Sequence, residues 1–574
     1  MNPISATESS ARNADKGTLR RTHGLNVLSV SGTYYEMGRQ HGSLLADEIR
    51  RGPIPYYRTF VEKIMRGAAP GVLGRVARRA MQETVGRRVA QQMPDFALET
   101  IRGMADGAGL PFAEVLEGCT MPDQLVWLAG KLIGVKGVPP AVRHRLSLGL
   151  GCTSALAWGA ATTDGKLYHA RNLDYHGVSC WPSTSTVAFH RPLDGQRYVS
   201  CTAAGVVLGG FTAMNEAGLT LTVHQHMFTD RAALGGTPIA TVGDIVMREA
   251  RNLADAEAIL ARHRPIGCWT YLVADGHAKE VLCWEEDPQR HVARRFSAAT
   301  GASTFGYANI YLDPELGATE RDLFPTYWRH NHGRYARANE ILSQRHGALD
   351  ADGMAGILAD VGDPRCRLRD SIAMTLTVGS VVFRPEDGIL WVGTGEAPTS
   401  HGTFVPFSLH TGDVAPGVAP LTPGECVDPK ARDAFEHWRK AYVAYVDHES
   451  VPDTRRALAM ACTLAPEQPT YHAVAGLFAL KECDTKEAMR RLDAAIALGH
   501  PDEQRLASFH LFRARAHDVA GDRAAASRDY RAVLGQHADP NVRDAAQKGL
   551  RRAYTPRDAR KLHVDLSLGD VMAP

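Results

Sequence analysis

The feature that most constrains the fold of this sequence is a change at Cys152 from a mainly helical pattern to a pattern of short strands. Downstream of it, short segments rich in β-branched and aromatic residues alternate with turn signals such as Asp164-Gly165 and Asp194-Gly195, a pattern typical of antiparallel strands. Two helical stretches, about 241–262 and 328–345, interrupt the strands before further strands follow. Because the strands come in runs with helices inserted, the pattern predicts an α+β layered domain and not a doubly wound parallel sheet.

The rest of the chain divides by composition. The first residues are polar with almost nothing to bury, and a mainly helical pattern follows up to a basic stretch with glycine and prolines at 136–150, interpreted as an exposed linker. The predicted regions are a flexible tail (1–22), a mainly helical first part (23–151), the strand-rich catalytic region (152–428), helical repeats (429–556) and a C-terminal tail (557–574).

The helical C-terminal region carries a repeat. Ala461 and Ala495 lie 34 residues apart, and Val533 follows 38 residues after Ala495. This spacing and the Ala/Leu/Pro pattern resemble about two and a half tetratricopeptide repeats, with an ordinary helical bundle as the alternative. Since such repeats present a concave surface, residues 429–556 are expected to bind a protein partner or to mediate self-association.

Composition excludes several classes of function. The net charge of +2 gives no field that would attract nucleic acid or anionic lipid, so neither is expected as a partner. No run of about 18 apolar residues and no signal peptide are visible, and the expected location is the cytoplasm. The ten cysteines form no Cys-x-x-Cys pair, and metalloprotease, Walker A and complete dinucleotide motifs are missing from the sequence. We therefore expect neither a metal nor a cofactor.

One segment joins a candidate nucleophile to charged residues. Cys152 follows Gly151 at the start of a predicted strand, and a tight turn returns a second strand that carries Arg171 and Asp174. In a hairpin these charged groups come back beside the cysteine. Arginine there would favour the thiolate, since a free thiol has a pKa of about 8.5, and aspartate would orient an amine. On the residues alone, the alternative is a buried small cysteine with a structural ion pair.

Motifs in a fixed order accompany this segment. They are Gly32-x-x-Tyr35-Glu36-x-Gly38-x-x-x-Gly42, Gly151-Cys152-Thr153-Ser154, Asp164-Gly165-Lys166, Arg171-Asn172-Leu173-Asp174 and Met214-Asn215-Glu216-x-Gly218-Leu219. With them, the sequence resembles the acyl-coenzyme A:6-aminopenicillanic acid acyltransferase family, which consists of N-terminal-nucleophile (Ntn) hydrolases related to the choloylglycine hydrolases. The resemblance covers about residues 25–410. It implies the four-layer αββα sandwich of Ntn hydrolases, here followed by the all-helical repeats.

The resemblance also implies a mechanism. The precursor would cut itself between Gly151 and Cys152 by thiol attack on the glycine carbonyl, transfer of the acyl group from nitrogen to sulfur, and hydrolysis. Glycine suits this position because it tolerates strained backbone angles. The freed α-amino group of Cys152, with an intrinsic pKa of about 8, would then act as the base for its own thiol. By the same resemblance, Asp174 would hold the amino group and Arg171 would stabilise charge around the thiol.

Donors for the oxyanion of the tetrahedral intermediate are expected later in the chain. The family supplies an asparagine that Asn309 matches best, and related choloylglycine enzymes supply an arginine that Arg334 resembles, with a structural surface arginine as the alternative. Relatives carry a second asparagine after the Asn-Glu-x-Gly-Leu motif, where this chain reads Val223-His224-Gln225-His226. Gln225 and His224 are therefore the candidates for the second donor.

These features predict a self-processing cysteine amidohydrolase or acyltransferase whose substrate is an amide or thioester of a small acyl compound. Two alternatives stay open. One is a thiol hydrolase in which an uncut Cys152 pairs with a histidine such as His169 or His176. The other is a non-catalytic scaffold whose helical repeats bind a protein partner.

Overall fold

A computed structural model describes residues 12–68, 72–133, 151–321, 325–362, 371–423 and 428–571. The predicted linker at 136–150 and residues 1–11 of the predicted tail lie outside these ranges. The first unit comprises Met1–Leu323, Arg334–Asp360 and Leu376–Gly424, and the second comprises Phe324–Gly333, Val361–Thr375 and Glu425–Pro574.

The strands are β1 Arg12–Ala14, β2 Gly17–Thr22, β3 Leu25–Gly32, β4 Gly151–Ala157, β5 Tyr168–Asp174, β6 Ser185–Pro192, β7 Tyr198–Ala203, β8 Thr212–Asn215, β9 Leu219–Gln225, β10 Phe228–Thr229, β11 Trp269–Asp275, β12 Glu280–Glu286, β13 His291–Phe296, β14 Thr304–Tyr307, β15 Glu320–Arg321, β16 Thr377–Arg384, β17 Ile389–Gly393, β18 Phe404–Ser408, β19 Asp413–Val414, β20 Val564–Asp565 and β21 Asp570–Val571. The helices are α1 Tyr34–Leu44, α2 Ala46–Arg51, α3 Pro53–Ala68, α4 Val72–Met81, α5 Arg87–Ala90, α6 Asp95–Ala108, α7 Phe112–Ile133, α8 Ile239–Glu249, α9 Leu253–Arg262, α10 Pro314–Gly317, α11 Pro325–Gln344, α12 Ala351–Leu358, α13 Pro429–Tyr442, α14 Val451–Leu464, α15 Pro469–Lys481, α16 Thr485–Leu498, α17 Glu503–Val519, α18 Arg523–Leu534, α19 Pro540–Arg551 and α20 Pro556–Ala559.

Two large sheets form the centre of the first unit. Among the described residues, one sheet has ten strands in the order β1-β2-β3-β6-β7-β8-β9-β11-β12-β13, and the other has seven in the order β14-β4-β5-β16-β17-β18-β19. Strand β3 runs parallel to β6, whereas the nucleophile strand β4 lies antiparallel between β14 and β5. The strand-rich region predicted from residue 152 therefore supplies most of both sheets, and β1 to β3 come from before it.

The sheets pack face to face, and helices cover their outer sides. Val27 of β3 lies in one buried cluster with Phe383 of β16. The next residue of β3, Leu28, turns to the other side and packs with Met37 of α1 and Ile101 of α6, as the two-residue period of a strand requires. On the seven-stranded sheet, α12 contacts β4, β5 and β16. The order helix, sheet, sheet, helix confirms the predicted α+β sandwich.

The first sequence motif builds the contact between α1 and α6. Thr33 caps α1: its hydroxyl accepts a hydrogen bond from the Glu36 N–H, and the Glu36 carboxylate accepts one from the Thr33 N–H at 2.7 Å. A Cβ atom on Gly38 would stand 2.1 Å from the Thr100 carbonyl oxygen, so only glycine allows this approach of the two helices. Gly42, one turn later, faces the same helix. This motif therefore serves helix packing.

Three local predictions were wrong. The described part of the predicted flexible tail 1–22 forms β1 and β2, with Leu19 buried against the helical layer. The described part of the predicted tail 557–574 is also ordered, and its β20 and β21 form a hairpin with Leu566 buried beside it. The predicted helix 241–262 is two helices, because Asn252 caps α9 by accepting a hydrogen bond from the Asp255 N–H.

The second unit contains the predicted helical repeats. Helices α13 to α18 form three consecutive contacting pairs, followed by α19. The side chains of Asp484 and Asp522 cap the second helices of two successive pairs, at the helix-to-helix turns seen in the sequence. Ala461, Ala495 and Val533, which defined the repeat, are buried on the second helices of the three pairs, one on each. The C-terminal all-helical region thus resembles tetratricopeptide repeats. Within the described residues of both units, no helix has the length and apolar character needed to span a membrane.

Candidate active site

The β4–β5 pair brings the candidate nucleophile and the predicted charged residues together. In the antiparallel register Gly151 lies opposite Asp174, and Ser154 lies opposite Arg171. Side chains two residues apart share a face, so Cys152, Ser154 and Arg171 point to the same side. Cys152 is buried, and its Sγ atom lies 3.3 Å from Nη2 of Arg171.

The guanidinium of Arg171 is fixed by main-chain acceptors. It donates to the carbonyl oxygens of Phe211 and Val223, each at 2.8 Å, and to the hydroxyl of Thr212. A buried arginine held in this way cannot swing away from the thiol. Its positive charge is therefore held within hydrogen-bonding distance of the candidate nucleophilic sulfur.

Asn309 and Arg334 hold the main chain of Cys152. The Cys152 N–H donates to Oδ1 of Asn309 at 2.6 Å, and Nδ2 of Asn309 donates to the Gln225 carbonyl at 2.6 Å. Nη1 of Arg334 donates to the Cys152 carbonyl at 2.7 Å and to the Thr153 hydroxyl at 3.0 Å. Its Nη2 donates to Oδ1 of Asn309 at 3.1 Å. The surface-arginine alternative for Arg334 is wrong, because the side chain is fully buried.

The division of roles differs from the one that the resemblance implied. Asn309, expected as an oxyanion donor, binds the nitrogen of Cys152, whereas Asp174 was expected there. Asn309 adopts a positive φ of 33°, an uncommon conformation that asparagine tolerates better than most residues. The turn after β14 therefore aims the amide oxygen at the start of β4.

Asp174 is a buried carboxylate on β5 that lines the same cavity as Cys152. Its Oδ1 accepts a hydrogen bond from the Thr377 hydroxyl at 2.5 Å, and its Oδ2 has no hydrogen-bond partner among the described residues. Burial raises the pKa of Asp174 to about 6, against the opposing effects of Arg334, Thr377 and Arg171. An anionic oxygen that is buried and lacks a donor is suited to receive an ammonium group.

The two candidates on β9 lie on opposite faces of the strand. Gln225 lines a cavity next to Cys152. His224 points the other way, between the sheets, where its Nε2 lies 2.9 Å from the Ser154 hydroxyl and its ring meets Tyr307 edge-on. Burial lowers the pKa of His224 well below its usual value. Among the described residues, Gln225 and not His224 lines the cavity next to Cys152, so Gln225 is the better-placed candidate for the oxyanion donor.

The alternative of an uncut cysteine paired with histidine finds no support in the geometry. His169 bonds with the hydroxyls of Thr220 and Thr222, and burial lowers its pKa to about 3. His176 packs against Phe60, and burial lowers its pKa to about 4. Neither imidazole hydrogen-bonds Cys152 in the part of the chain that the structure describes. In that same part, no group of three or more His, Cys, Asp or Glu side chains is arranged to hold a metal ion.

Cys152 opens into a cavity of about 150 Å³. Its wall is mainly apolar and aromatic, and it draws on helices before Cys152 as well as on strands and loops after it. Lining side chains include Ile54, Tyr57, Trp181, Leu208, Phe211 and Trp269. Sequence reasoning missed these residues and Thr377, since nothing in the local pattern distinguishes a cavity wall from an ordinary core.

A known protein family matches the strand-rich part of the chain that contains most of the site. Residues 161–397 match the family model of the acyl-coenzyme A:6-aminopenicillanic acid acyl-transferase. An uncharacterized protein of Archaeoglobus fulgidus is 24% identical over 270 residues, which cover 45% of this chain and 42% of that protein. The chain thus spans less than half of this relative.

Two solved structures from Caenorhabditis elegans are similar to separate parts of the chain. The N-acylethanolamine-hydrolyzing acid amidase ortholog is 17% identical, covering 41% of this chain and 93% of its own, with a TM-score of 0.30. The N-terminal domain of stress-induced protein-1 is 16% identical, covering 22% of this chain and 100% of its own, with a TM-score of 0.20.

Proposed function

We propose that this chain, whose residues 161–397 belong to the acyl-coenzyme A:6-aminopenicillanic acid acyltransferase family, is a self-processing cysteine amidohydrolase or acyltransferase. The observation that carries the proposal is the environment of Cys152. Its sulfur lies beside the guanidinium of Arg171, and its main-chain nitrogen is bound by Asn309 at 2.6 Å. Buried side chains therefore bind both the sulfur and the nitrogen of Cys152, as expected for a residue whose thiol is the nucleophile and whose amine is the base.

In the first reaction, the Cys152 thiol attacks the Gly151 carbonyl carbon. The peptide C–N bond breaks, the thiol proton passes to the departing nitrogen, and Gly151 becomes a thioester on sulfur. Water then hydrolyses the thioester, which leaves a carboxylate on Gly151 and a free thiol and α-amine on Cys152. Asp174 lies opposite Gly151 in the strand pair, and its unpartnered carboxylate oxygen is the acceptor that we propose for the new ammonium group.

In the second reaction, the α-amine takes the thiol proton while the sulfur attacks the carbonyl carbon of an amide or thioester. Collapse of the tetrahedral intermediate transfers that proton to the leaving amine or thiol and leaves an acyl-cysteine. Water or an amine then releases the acyl group. Asn309 and Arg334 hold the nitrogen and carbonyl of Cys152, while Gln225 faces the cavity as the candidate oxyanion donor.

The cavity indicates the class of acyl group. Its wall is mainly apolar, and its volume of about 150 Å³ equals that of an engineered apolar cavity that binds benzene. We therefore propose an uncharged acyl group with an apolar body of roughly that size, and a leaving group that extends toward the open side.

Intact-mass analysis tests the self-processing step. The purified protein is expected as two fragments, one ending at Gly151 and one beginning Cys152-Thr153-Ser154. Cys152→Ala should remain a single chain, whereas Cys119→Ala should process normally, because Cys119 lines the same cavity but its burial raises its pKa to about 12. A wild-type chain that stays joined at Gly151–Cys152 while it turns over substrate would refute the self-processing step.

A second mass measurement tests the acyl intermediate. Incubation with a p-nitrophenyl ester of a short apolar acid should add one acyl group to the fragment that begins with Cys152. If the fragments form but no p-nitrophenyl ester of a short apolar acid acylates them, the proposed acyl-transfer activity is refuted.

A further inference from the structure

One wall of the Cys152 cavity is the loop 204–211, which joins β7 to β8. Behind this loop lies a second, small cavity of about 10 Å³, lined by residues of the ten-stranded sheet and of helices α1, α6 and α8. Val207 and Leu208 line both cavities. We call residues 204–211 the partition loop, because they separate the two cavities.

A buried side chain holds the partition loop near each of its ends. The Gly205 N–H donates to Nε2 of His41 at 3.1 Å, and the Gly210 N–H donates to Oδ2 of Asp244 at 2.9 Å. The other carboxylate oxygen of Asp244 accepts a hydrogen bond from the Tyr198 hydroxyl at 2.6 Å. His41 and Asp244 are each only 1% exposed, so water does not compete for either bond.

The main chain of the partition loop follows a path that side chains would block. Gly205 has a φ of 88°, in the left-handed region that favours glycine. A Cβ atom on Gly210 would stand 2.2 Å from the main-chain nitrogen of Asp244. The loop is therefore held through its main chain, and its position depends on the acceptors that bind the Gly205 and Gly210 N–H groups.

The imidazole of His41 is suited to hold the loop at neutral pH. Burial lowers the pKa of His41 to about 4, so the ring is neutral and one of its nitrogens accepts a hydrogen bond. Because Nε2 accepts the Gly205 N–H, Nδ1 carries the ring proton. Nδ1 has no hydrogen-bond partner among the described residues, so Gly205 is the group that this imidazole binds.

His41 belongs to α1, before the proposed cut, whereas the loop that it binds follows the cut. We propose that His41 is a positioning residue for acyl specificity. By accepting the Gly205 N–H, it holds Val207 and Leu208 against the Cys152 cavity and so limits the length of acyl chain that the cavity admits. Loss of this acceptor lets the loop shift toward the small cavity, and longer chains then fit. The inference rests on the proposed acyl-transfer function and names the residues that limit its substrate.

Two amide substitutions of His41 test the proposal on the processed full chain. The amide oxygen of His41→Gln can reach the Gly205 N–H in place of Nε2, whereas the shorter side chain of His41→Asn cannot. The substrates are p-nitrophenyl esters of straight-chain acids of increasing length. In the wild type, kcat/KM should rise with chain length and then fall once the chain exceeds the cavity. In His41→Asn that fall should be at least about fivefold smaller, because the unpaired N–H no longer fixes the loop, and His41→Gln should restore it.

His190 offers the matched control. It lines the same small cavity and is buried, but its Nε2 lies 3.0 Å from the Ser200 hydroxyl and not at the loop. His190→Asn should therefore keep the wild-type fall in kcat/KM even where it lowers stability. The effect of His41→Asn should grow with chain length, since a short acyl chain does not reach the partition loop. A loss of kcat/KM that is equal for all chain lengths would be a general structural effect and would contradict the proposal.

Two further variants keep the proposal open to refutation. His41→Leu keeps the bulk of the ring but lacks an acceptor, so it should behave as His41→Asn does. Leu208→Ala opens the partition loop with His41 intact and should also admit longer chains. Chain-length limits that are the same in the wild type and in these variants would overturn the inference while the acylation itself leaves the proposed function standing. If no ester of any length acylates the wild type, the proposed function fails and this inference fails with it.

Discussion

Replacing Thr377 with valine should shift the pH dependence of acylation without touching the nucleophile. The Thr377 hydroxyl donates to Oδ1 of Asp174 at 2.5 Å, and this bond stabilises the carboxylate over the carboxylic acid. Burial raises the pKa of Asp174 to about 6, and Thr377 is one of the groups that oppose this rise. Loss of the hydroxyl should therefore raise the pKa further.

The size of the shift follows from the energy of the bond. A hydrogen bond to a charged group contributes about 1.5–3 kcal/mol, and about 1.36 kcal/mol corresponds to one pKa unit. The pKa of Asp174 should thus rise by about 1–2 units in Thr377→Val. If the anion is needed to hold the ammonium group of Cys152, acylation near pH 6 should fall by roughly 5- to 50-fold and recover at higher pH.

The assay is the second-order rate of acylation by a p-nitrophenyl ester, measured from pH 5 to 9 on processed protein. Thr375→Val is the matched control, because Thr375 is buried two residues away and its hydroxyl has no hydrogen-bond partner among the described residues. This control should keep the acid limb of the wild type. Asp174→Asn should abolish that limb.

Stability should depend on pH in the opposite direction to acylation, because the folded state binds the Asp174 proton more tightly than the unfolded state does. The folded-state pKa of Asp174 lies above the unfolded value of about 3.9, so its contribution to stability is present below that value and is lost as pH rises to about 6. In Thr377→Val the loss of stability should continue to higher pH.

In the acylation assay, acid limbs that coincide in Thr377→Val and Thr375→Val would refute the role of Asp174.

Substitutions at four further residues test the rest of the site. Arg171→Met should slow alkylation of Cys152 by iodoacetamide by at least about tenfold, through loss of a charged contact of about 1.5–3 kcal/mol, with partial recovery in Arg171→Lys; equal rates would contradict its role. In a series of esters with acyl chains of increasing length, each buried CH₂ should raise kcat/KM of the wild type about fourfold. Val207→Phe, which narrows the cavity, should shorten the preferred acyl chain. An unchanged preference would show that the cavity does not bind the acyl group. His224→Ala should lower the free energy of unfolding in urea by about 1–3 kcal/mol and leave kcat/KM of the folded protein unchanged. Gln225→Ala should lower kcat/KM and leave the stability unchanged. The reverse result would make His224 the oxyanion donor.

The sequence predicted the nucleophile strand and its hairpin partner well, because both lie within a short stretch of chain. Cys152, Arg171 and Asp174 fall on adjacent antiparallel strands that are joined by the short connection 158–167. Asn309 and Arg334 lie far along the chain, and only the resemblance to a family singled them out. The roles of Asn309 and Asp174 around the Cys152 nitrogen depended on a backbone angle and a hydrogen bond that no local pattern encodes.

The errors share one physical cause, which is that burial depends on partners distant in sequence. Alternation placed His224 and Gln225 on opposite faces of β9, but it could not tell which face looks into the cavity. Residues 17–22 are largely polar on one side, yet the other side is covered by helix α1. The segment 560–571 has only a few aliphatic residues, and their burial requires the helical pairs that precede it.

The site draws its chemistry and its binding wall from different parts of the chain. Arg171, Asn309 and Arg334 all follow Cys152, so a cut at Gly151 leaves the reacting groups in one fragment. The cavity wall includes Tyr57 of α3, which precedes the cut. Its hydroxyl donates to the main-chain carbonyl of His176, in the loop after β5, at 2.8 Å. Strand β3 also precedes the cut and pairs with β6. Because sheet pairing and the cavity wall join the two fragments, self-cleavage would free the amine of Cys152 while the acyl pocket stays assembled. Acyl specificity is therefore open to change through residues before the cut without altering the groups that form and break bonds.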